Sequence, residues 1–183
     1  MEEQILVDEC QKGNREAQHI LYNKYAGLLF GICLRYLSNR VEAEDLLHDG
    51  FIKIFSSFNK FTWRGNGSLR AWLTRVMVNM AVEYLRREKS FIKVTITESE
   101  EDVYDSPNNE LFSKIPKDKI MEFISELPNG YRAVFNLFVI EGLSHREIAQ
   151  MLGINEKSSS SQLLRAKATL AKRVNEYIKE SEL

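Results

Sequence analysis

The chain has 183 residues, 44% of them apolar, and its 25 basic residues are nearly balanced by 26 acidic ones for a formal net charge of -1. That composition fits one ordinary domain or two small ones with proper cores, and it excludes a disordered tail or a linker protein. Any attraction for a polyanion must therefore come from how the charges are distributed, not from their sum. The start, Met-Glu-Glu, is not a basic segment followed by an apolar run, and no stretch nears the ~20 apolar residues of a membrane span. The expectation is a cytoplasmic protein without membrane insertion. Cys10 and Cys33 have no second cysteine or histidine at metal spacing and are read as reduced thiols, so neither a metal site nor a cofactor is expected.

Apolar residues recur at helical spacing through most of the chain. Ile20, Leu21, Tyr25, Leu28, Leu29, Ile32 and Cys33 mark one helix, and Leu46, Leu47, Phe51, Ile54 and Phe55 a second. A third is predicted to start near Ser68, which can serve as its N-cap. It carries Leu69, Trp72, Leu73, Val76, Met80 and Leu85 and closes on Arg86, Arg87 and Lys89. These make a helical domain over 1–90. From Phe91 to Lys117 the pattern lapses into a short β-branched run, an acidic cluster (Glu98, Glu100, Glu101, Asp102, Asp105) and the prolines Pro107 and Pro116. Residues 91–117 therefore read as a flexible acidic linker, either a solvated spacer or a segment with a role of its own. Periodicity returns at Ile120 and holds to Ile178, with breaks at Leu127-Pro128, Gly142 and Gly153, which defines a second helical domain over 118–183. The predicted fold class is all-α: two small helical domains joined by a flexible linker.

Charge is segregated in the first domain. Glu42, Glu44, Asp45 and Asp49 crowd the start of the second helix, where carboxylates also suit the positive end of a helix dipole. From Lys60 to Lys89, seven bases (Lys60, Arg64, Arg70, Arg75, Arg86, Arg87, Lys89) face only Glu83 and Glu88, an excess of about five positive charges. Aromatic residues Phe58, Phe61, Trp63, Trp72 and Tyr84 are interleaved with them. Aromatic faces stack unpaired bases while cations follow the backbone, so this mixture suits single-stranded DNA. The loop Thr62-Trp63-Arg64-Gly65-Asn66-Gly67-Ser68 adds amide and hydroxyl groups able to read an extruded base. Trp72 also falls in register with Leu69, Leu73 and Val76 and could equally be core, whereas Asn79 is polar in an apolar setting and reads as functional.

The second domain carries a helix-turn-helix between Leu143 and Leu170. Ser144 and Glu147 form a capping box, Ile148 and Leu152 face inward, Ala149 permits a close crossing, Gly153 allows the turn and Asn155 can cap the second helix. On that helix Ser159, Leu163, Ala166, Leu170 and Val174 share one face, and Ser160, Ser161, Leu164, Lys167 and Ala171 the other. Lys157, Arg165, Lys167, Lys172 and Arg173 supply charge without a single acid between Lys157 and Asn175. Short polar groups flanked by cations suit a major groove, and an ordinary helical hairpin with a basic face is the duller alternative.

Two motif sets, in order, carry a resemblance. Ala43-Glu44-Asp45-Leu46-Leu47-His48-Asp49-Gly50-Phe51-Ile52-Lys53 is followed by Leu69-x-x-Trp72-Leu73-x-Arg75-Val76-x-x-Asn79-x-Ala81-x-x-x-Leu85-Arg86. Then come Leu127-Pro128-x-x-x-Arg132, Glu141-Gly142-Leu143-Ser144-x-x-Glu147-Ile148-Ala149, Leu152-Gly153-Ile154 and Leu163-x-Arg165-Ala166. Over about residues 5 to 175 the chain closely resembles the extracytoplasmic-function (ECF) sigma factors of the sigma-70 family. The resemblance implies a transcription initiation factor, not an enzyme, that binds core RNA polymerase and directs it to promoter DNA. It implies that Asp45, Leu46, His48, Asp49 and Ile52 dock on the clamp helices of the largest subunit. It implies that Trp63, Arg64, Asn66, Ser68, Trp72, Arg75 and Asn79 capture the melted minus-ten strand. Ser160, Ser161 and Leu164 would aim at minus-thirty-five bases, with Arg165 and Lys167 on phosphates. Further implied partners are the flap of the second-largest subunit and an anti-sigma factor.

Three departures stand out. His48 replaces a usual glutamine, Ser159 replaces an apolar residue on the inward face and should loosen its packing, and Ser160 and Gln162 sit where relatives are often basic. Catalysis fares badly as a rival. His19, His48 and His145 are scattered, no phosphate-cradling loop appears, and no nucleophile has a motif around it. An autonomous helix-turn-helix regulator is the stronger rival, but it would have no use for an acidic docking helix beside a strand-capturing loop.

Overall fold

The computed structural model describes residues 2–87 and 115–181, and all regular structure among them is helical, as the periodicity predicts. The chain divides into two compact units, Met1–Ala81 and Val82–Leu183. The first unit contains α1 (Glu3–Gln11), α2 (Arg15–Leu37), α3 (Arg40–Ser57), a single 3-10 turn (Phe58–Lys60) and the start of α4 (Ser68–Arg87). Asparagines set two of these starts. The Asn14 side chain accepts from the Glu16 and Ala17 amides, and Asn39 accepts from Val41 and Glu42, each satisfying N–H groups that a first turn leaves free. Ser38, in the left-handed region at φ 58°, closes α2 and lets the chain reverse directly into α3.

α2 and α3 pack together, burying Leu21, Leu29, Ile32, Cys33 and Tyr36 with Ala43, Phe51 and Ile54. Leu69, Leu73 and Met77 of α4 are buried as well, and at Gly50 a Cβ would lie 2.3 Å from the Met77 methyl and 2.8 Å from its sulfur. Gly50 therefore marks a close approach of α3 to α4. α1 buries Leu6, Val7 and Cys10. It has no counterpart among the elements read from sequence, because four apolar side chains on nine residues, three of them consecutive, make a weak periodic signal.

The second unit contains α5 (Lys117–Ser125), α6 (Asn129–Phe135) extended by a π-type turn (Asn136–Ile140), α7 (His145–Leu152) and α8 (Glu156–Ser181). The expected linker lies outside the described residues up to 114. Ile115 is already buried, with Phe123, Ile124, Leu127, Ala166, Leu170 and Val174, so packing begins before the apolar period resumes at Ile120. Buried Arg132 explains the Leu127-Pro128-x-x-x-Arg132 spacing. Its guanidinium donates to the carbonyls of Ser125 (3.0 Å) and Leu127 (2.7 Å) and to Asn129 Oδ1 (2.6 Å), tying α6 to the end of α5. Among the described residues no helix is long and apolar enough to cross a membrane.

Candidate nucleic-acid interface

The helix-turn-helix starts as its spacing requires. Ser144 Oγ accepts from the Glu147 amide, and Glu147 accepts from the Ser144 amide at 2.9 Å. The Ser144 hydroxyl also donates to the Glu147 carboxylate at 2.7 Å, and that bond first, then the one from the Ser144 amide, hold the Glu147 carboxyl below its usual range. Gly153 closes α7 at φ 69°, and Asn155 Oδ1 caps α8 by accepting from Ser158 at 2.7 Å. Ser159, Leu163, Ala166, Leu170 and Val174 are buried, while Ser160, Ser161, Leu164 and Lys167 are exposed, Leu164 at 71%. Ala171 is the exception to the sorting: it is buried, because α8 packs against α5 and α6 as well as α7 and its buried sector widens.

Two cations counted on the basic flank are engaged within the unit. Arg165 is half-buried and donates to the Tyr131 hydroxyl at 3.4 Å, and Arg173 pairs with Glu126 and Glu176. Lys157, Lys167 and Lys172 remain exposed and, among the described residues, have no carboxylate partner. Ser159 corrects the expectation of loosened packing. Its buried hydroxyl lies 2.9 Å from His145 Nδ1, and the imidazole stacks on Phe138 with ring centroids 4.7 Å apart. A hydroxyl so paired avoids the penalty of an unsatisfied polar group. Sequence reasoning passed over His145, since nothing local links it to a residue fourteen positions on.

On α3 the outer face holds Asp45, His48, Asp49 and Ile52, all exposed, Ile52 at 57%. Leu46 does not join them. It is only 6% exposed and shares the inward face with Ala43, Gly50 and Ile54, so it packs the core and presents nothing for docking. Val41, 67% exposed, does lie on the outer face: at 100° per residue, positions 41, 45, 48, 49 and 52 fall within a sector of about 100°. The result is an apolar and acidic stripe along one helix.

The loop before α4 is built around two left-handed glycines, Gly65 at φ 106° and Gly67 at φ 88°. Ser68 differs from expectation. It is the first residue of α4 and not its N-cap: its hydroxyl donates to the Gly65 carbonyl (2.7 Å) and accepts from the Arg64 amide (3.1 Å), which curls the loop back on the helix. Arg64 and Asn66 are exposed and Trp63 is half-buried. Ser68, Trp72, Arg75 and Asn79 then follow along one side of α4, with Arg75 and Asn79 exposed. Trp72 combines both readings. It is half-buried, its ring packed on Phe58 (5.3 Å between centroids, edge-on) and Phe61 (4.9 Å), which leaves part of the indole accessible. Lys60, Arg64, Arg70 and Arg75 have no carboxylate partner among the described residues, whereas Glu83 neutralises part of the charge of Arg86 and Arg87. The stripe is thus most cationic near the loop.

Burial raises the thiols of Cys10 and Cys33 to about 11 and about 12, so neither is a nucleophile at neutral pH. Among the described residues no cluster of histidine, cysteine or acidic side chains could hold a metal.

Comparison with known families places names on these two units. The family described as Sigma-70 region 2 matches residues 21–91, and Sigma-70, region 4 matches residues 117–170, in that order. This chain belongs to the sigma-70 family, in its extracytoplasmic-function group. It is similar to the ECF RNA polymerase sigma-E factor of Haemophilus influenzae, with 28% identity over 182 residues covering 94% of this chain and 95% of the relative. The RNA polymerase sigma-H factor of Pseudomonas aeruginosa is 26% identical over 191 residues, covering 98% and 97%. The sigma-E factor of Escherichia coli is 26% identical over 187 residues, covering 97% and 96%. The stripes on α3 and α4 of this sigma factor lie within the region 2 match, and the capped helix-turn-helix lies within region 4 except for the end of α8.

Proposed function

We propose that this sigma factor joins core RNA polymerase and directs initiation at a particular set of promoters through two separate DNA contacts. The outer stripe of α3, with Val41, Asp45, His48, Asp49 and Ile52, docks on the clamp helices of the largest subunit. Trp63, Arg64, Asn66 and Ser68, continued by Trp72, Arg75 and Asn79, capture unpaired bases of the minus-ten element and so hold the open state. Ser160, Ser161 and Leu164 meet base edges of the minus-thirty-five duplex, with Lys167 on a phosphate and Arg165 braced by Tyr131 at the flank. Residues 1–90 and 118–183 act as the two DNA-contacting domains, and 91–117 as the acidic connector. The second domain also meets the flap of the second-largest subunit. An anti-sigma factor restrains the free protein, which is cytoplasmic and catalyses no reaction of its own.

The observation that carries this reading is the pairing, on one small unit, of an acidic and apolar helix stripe with a glycine-bent loop rich in aromatic and cationic side chains. A regulator that binds DNA alone needs only the helix-turn-helix. Run-off transcription with purified core polymerase on a library of promoter fragments separates the two. The expected result is a discrete set of transcripts that depend on this chain and are lost when Asp45 and Asp49 are changed to alanine, through weaker association with core. Tight binding of the free chain to duplex sites, with core polymerase unaffected, would favour the autonomous regulator.

A further inference from the structure

α1 precedes the region 2 match, which begins at residue 21, yet its two ends grip the capture loop of that region. At its first turn, Glu3 Oε1 accepts two hydrogen bonds, from the Trp63 indole N–H at 3.3 Å and from the Gly67 amide at 3.0 Å. At its last residue, Gln11 Nε2 donates to the Phe61 carbonyl at 2.8 Å and to the Phe58 carbonyl at 3.4 Å. Between these anchors lies the loop with two left-handed glycines, held internally only through Ser68. Such a segment is costly to order, and fixing both of its ends before a ligand arrives removes much of that cost. Hydrogen bonds to a carboxylate acceptor are stronger than those to a neutral one. Glu3 engages the N–H groups of Trp63 and Gly67, while Arg64 and Asn66 remain exposed.

We infer that α1 is the brace of the single-strand capture loop, with Glu3 and Gln11 as positioning residues that hold Trp63 and the Gly65 to Gly67 bend in their receptive shape. The inference rests on the reading of that loop as the minus-ten capture site. Neither residue needs to touch DNA. Each acts through the loop, so its loss should weaken capture of an unpaired strand while leaving the docking stripe of α3 intact.

The test uses the full chain assembled with core polymerase, and a promoter template whose minus-ten bases are already unpaired. Glu3→Ala is expected to lower affinity for that template on the order of tenfold, with core association unchanged and the Trp63 indole proton resonance shifted. Glu3→Gln keeps an amide oxygen as acceptor and should recover most of the affinity and the resonance position. Asn66→Ala serves as the reference for the capture site itself. Normal capture by Glu3→Ala beside a defective Asn66→Ala would overturn the brace while leaving the site standing. If Asn66→Ala also captures normally, the reading of the site fails and the brace fails with it. Parallel loss of core association and capture in Glu3→Ala, without recovery in Glu3→Gln, would reduce α1 to a general fold element and overturn the proposal as well.

Discussion

The second helix of the helix-turn-helix, α8, and the loop before α4 present similar chemistry, short polar side chains near unpaired cations, but they acquire their shapes in opposite ways. The helix-turn-helix is shaped mainly by neighbours in sequence: Ser144 with Glu147, Gly153 at the turn, and Asn155 with Ser158. The loop before α4 takes its shape largely from contacts between residues 47 to 64 positions apart, those of Gln11 and Glu3 with the 58–67 segment. A duplex groove has a fixed form that a rigid, locally specified helix can match. Unpaired bases do not, so the receptor for them must itself be ordered by the body of the domain.

That contrast can be attacked where each unit is most dependent on packing. Gly50→Val should have the largest effect, about 2 to 3 kcal/mol in urea unfolding, because the new side chain must enter the space of Met77 at the crossing of α3 and α4. An unchanged urea midpoint would mean that Met77 swings aside and that long-range contacts do not tightly specify the first unit. A smaller loss, about 1 to 2 kcal/mol, is expected for His145→Ala, which strands the buried Ser159 hydroxyl. Adding Ser159→Val in the same background should recover most of it. A double-mutant cycle with no coupling would return the second unit to purely local control.

The smallest effect belongs to the cap. Ser144→Ala should lower the thermal midpoint by a few degrees at neutral pH, and the difference from the parent should narrow in acid. The sign follows from the lowered Glu147 carboxyl: stabilisation is present above its ordinary value of 4.5 and is lost as pH falls through the depressed one. A defect independent of pH would show that the Glu147 half of the box adds nothing.

Much of the molecule was legible from residue order. The helical spacing of Leu21, Tyr25, Leu29 and Ile32, and of Ser159, Leu163, Ala166 and Leu170, predicted elements and inward faces that the structure contains. Where reading failed, a third partner intervened. Leu46 belongs to an acidic motif but turns into the core, Ala171 is covered because α8 meets more than one helix, and Ser68 curls back on its own loop and caps nothing. α1, too short to show a period, went unread although it holds the loop.

Residue order alone determined the all-helical class, the capped helix-turn-helix and the membership of the sigma-70 family, because capping, turn formation and amphipathic period are interactions between near neighbours. Tertiary structure alone decided which side of α3 faces outward with Val41 in place of Leu46, that His145 satisfies Ser159, and that Glu3 and Gln11 clasp the loop before α4. Each of those depends on a hydrogen bond or a packing contact between different elements, whose geometry is set only when the helices close on one another.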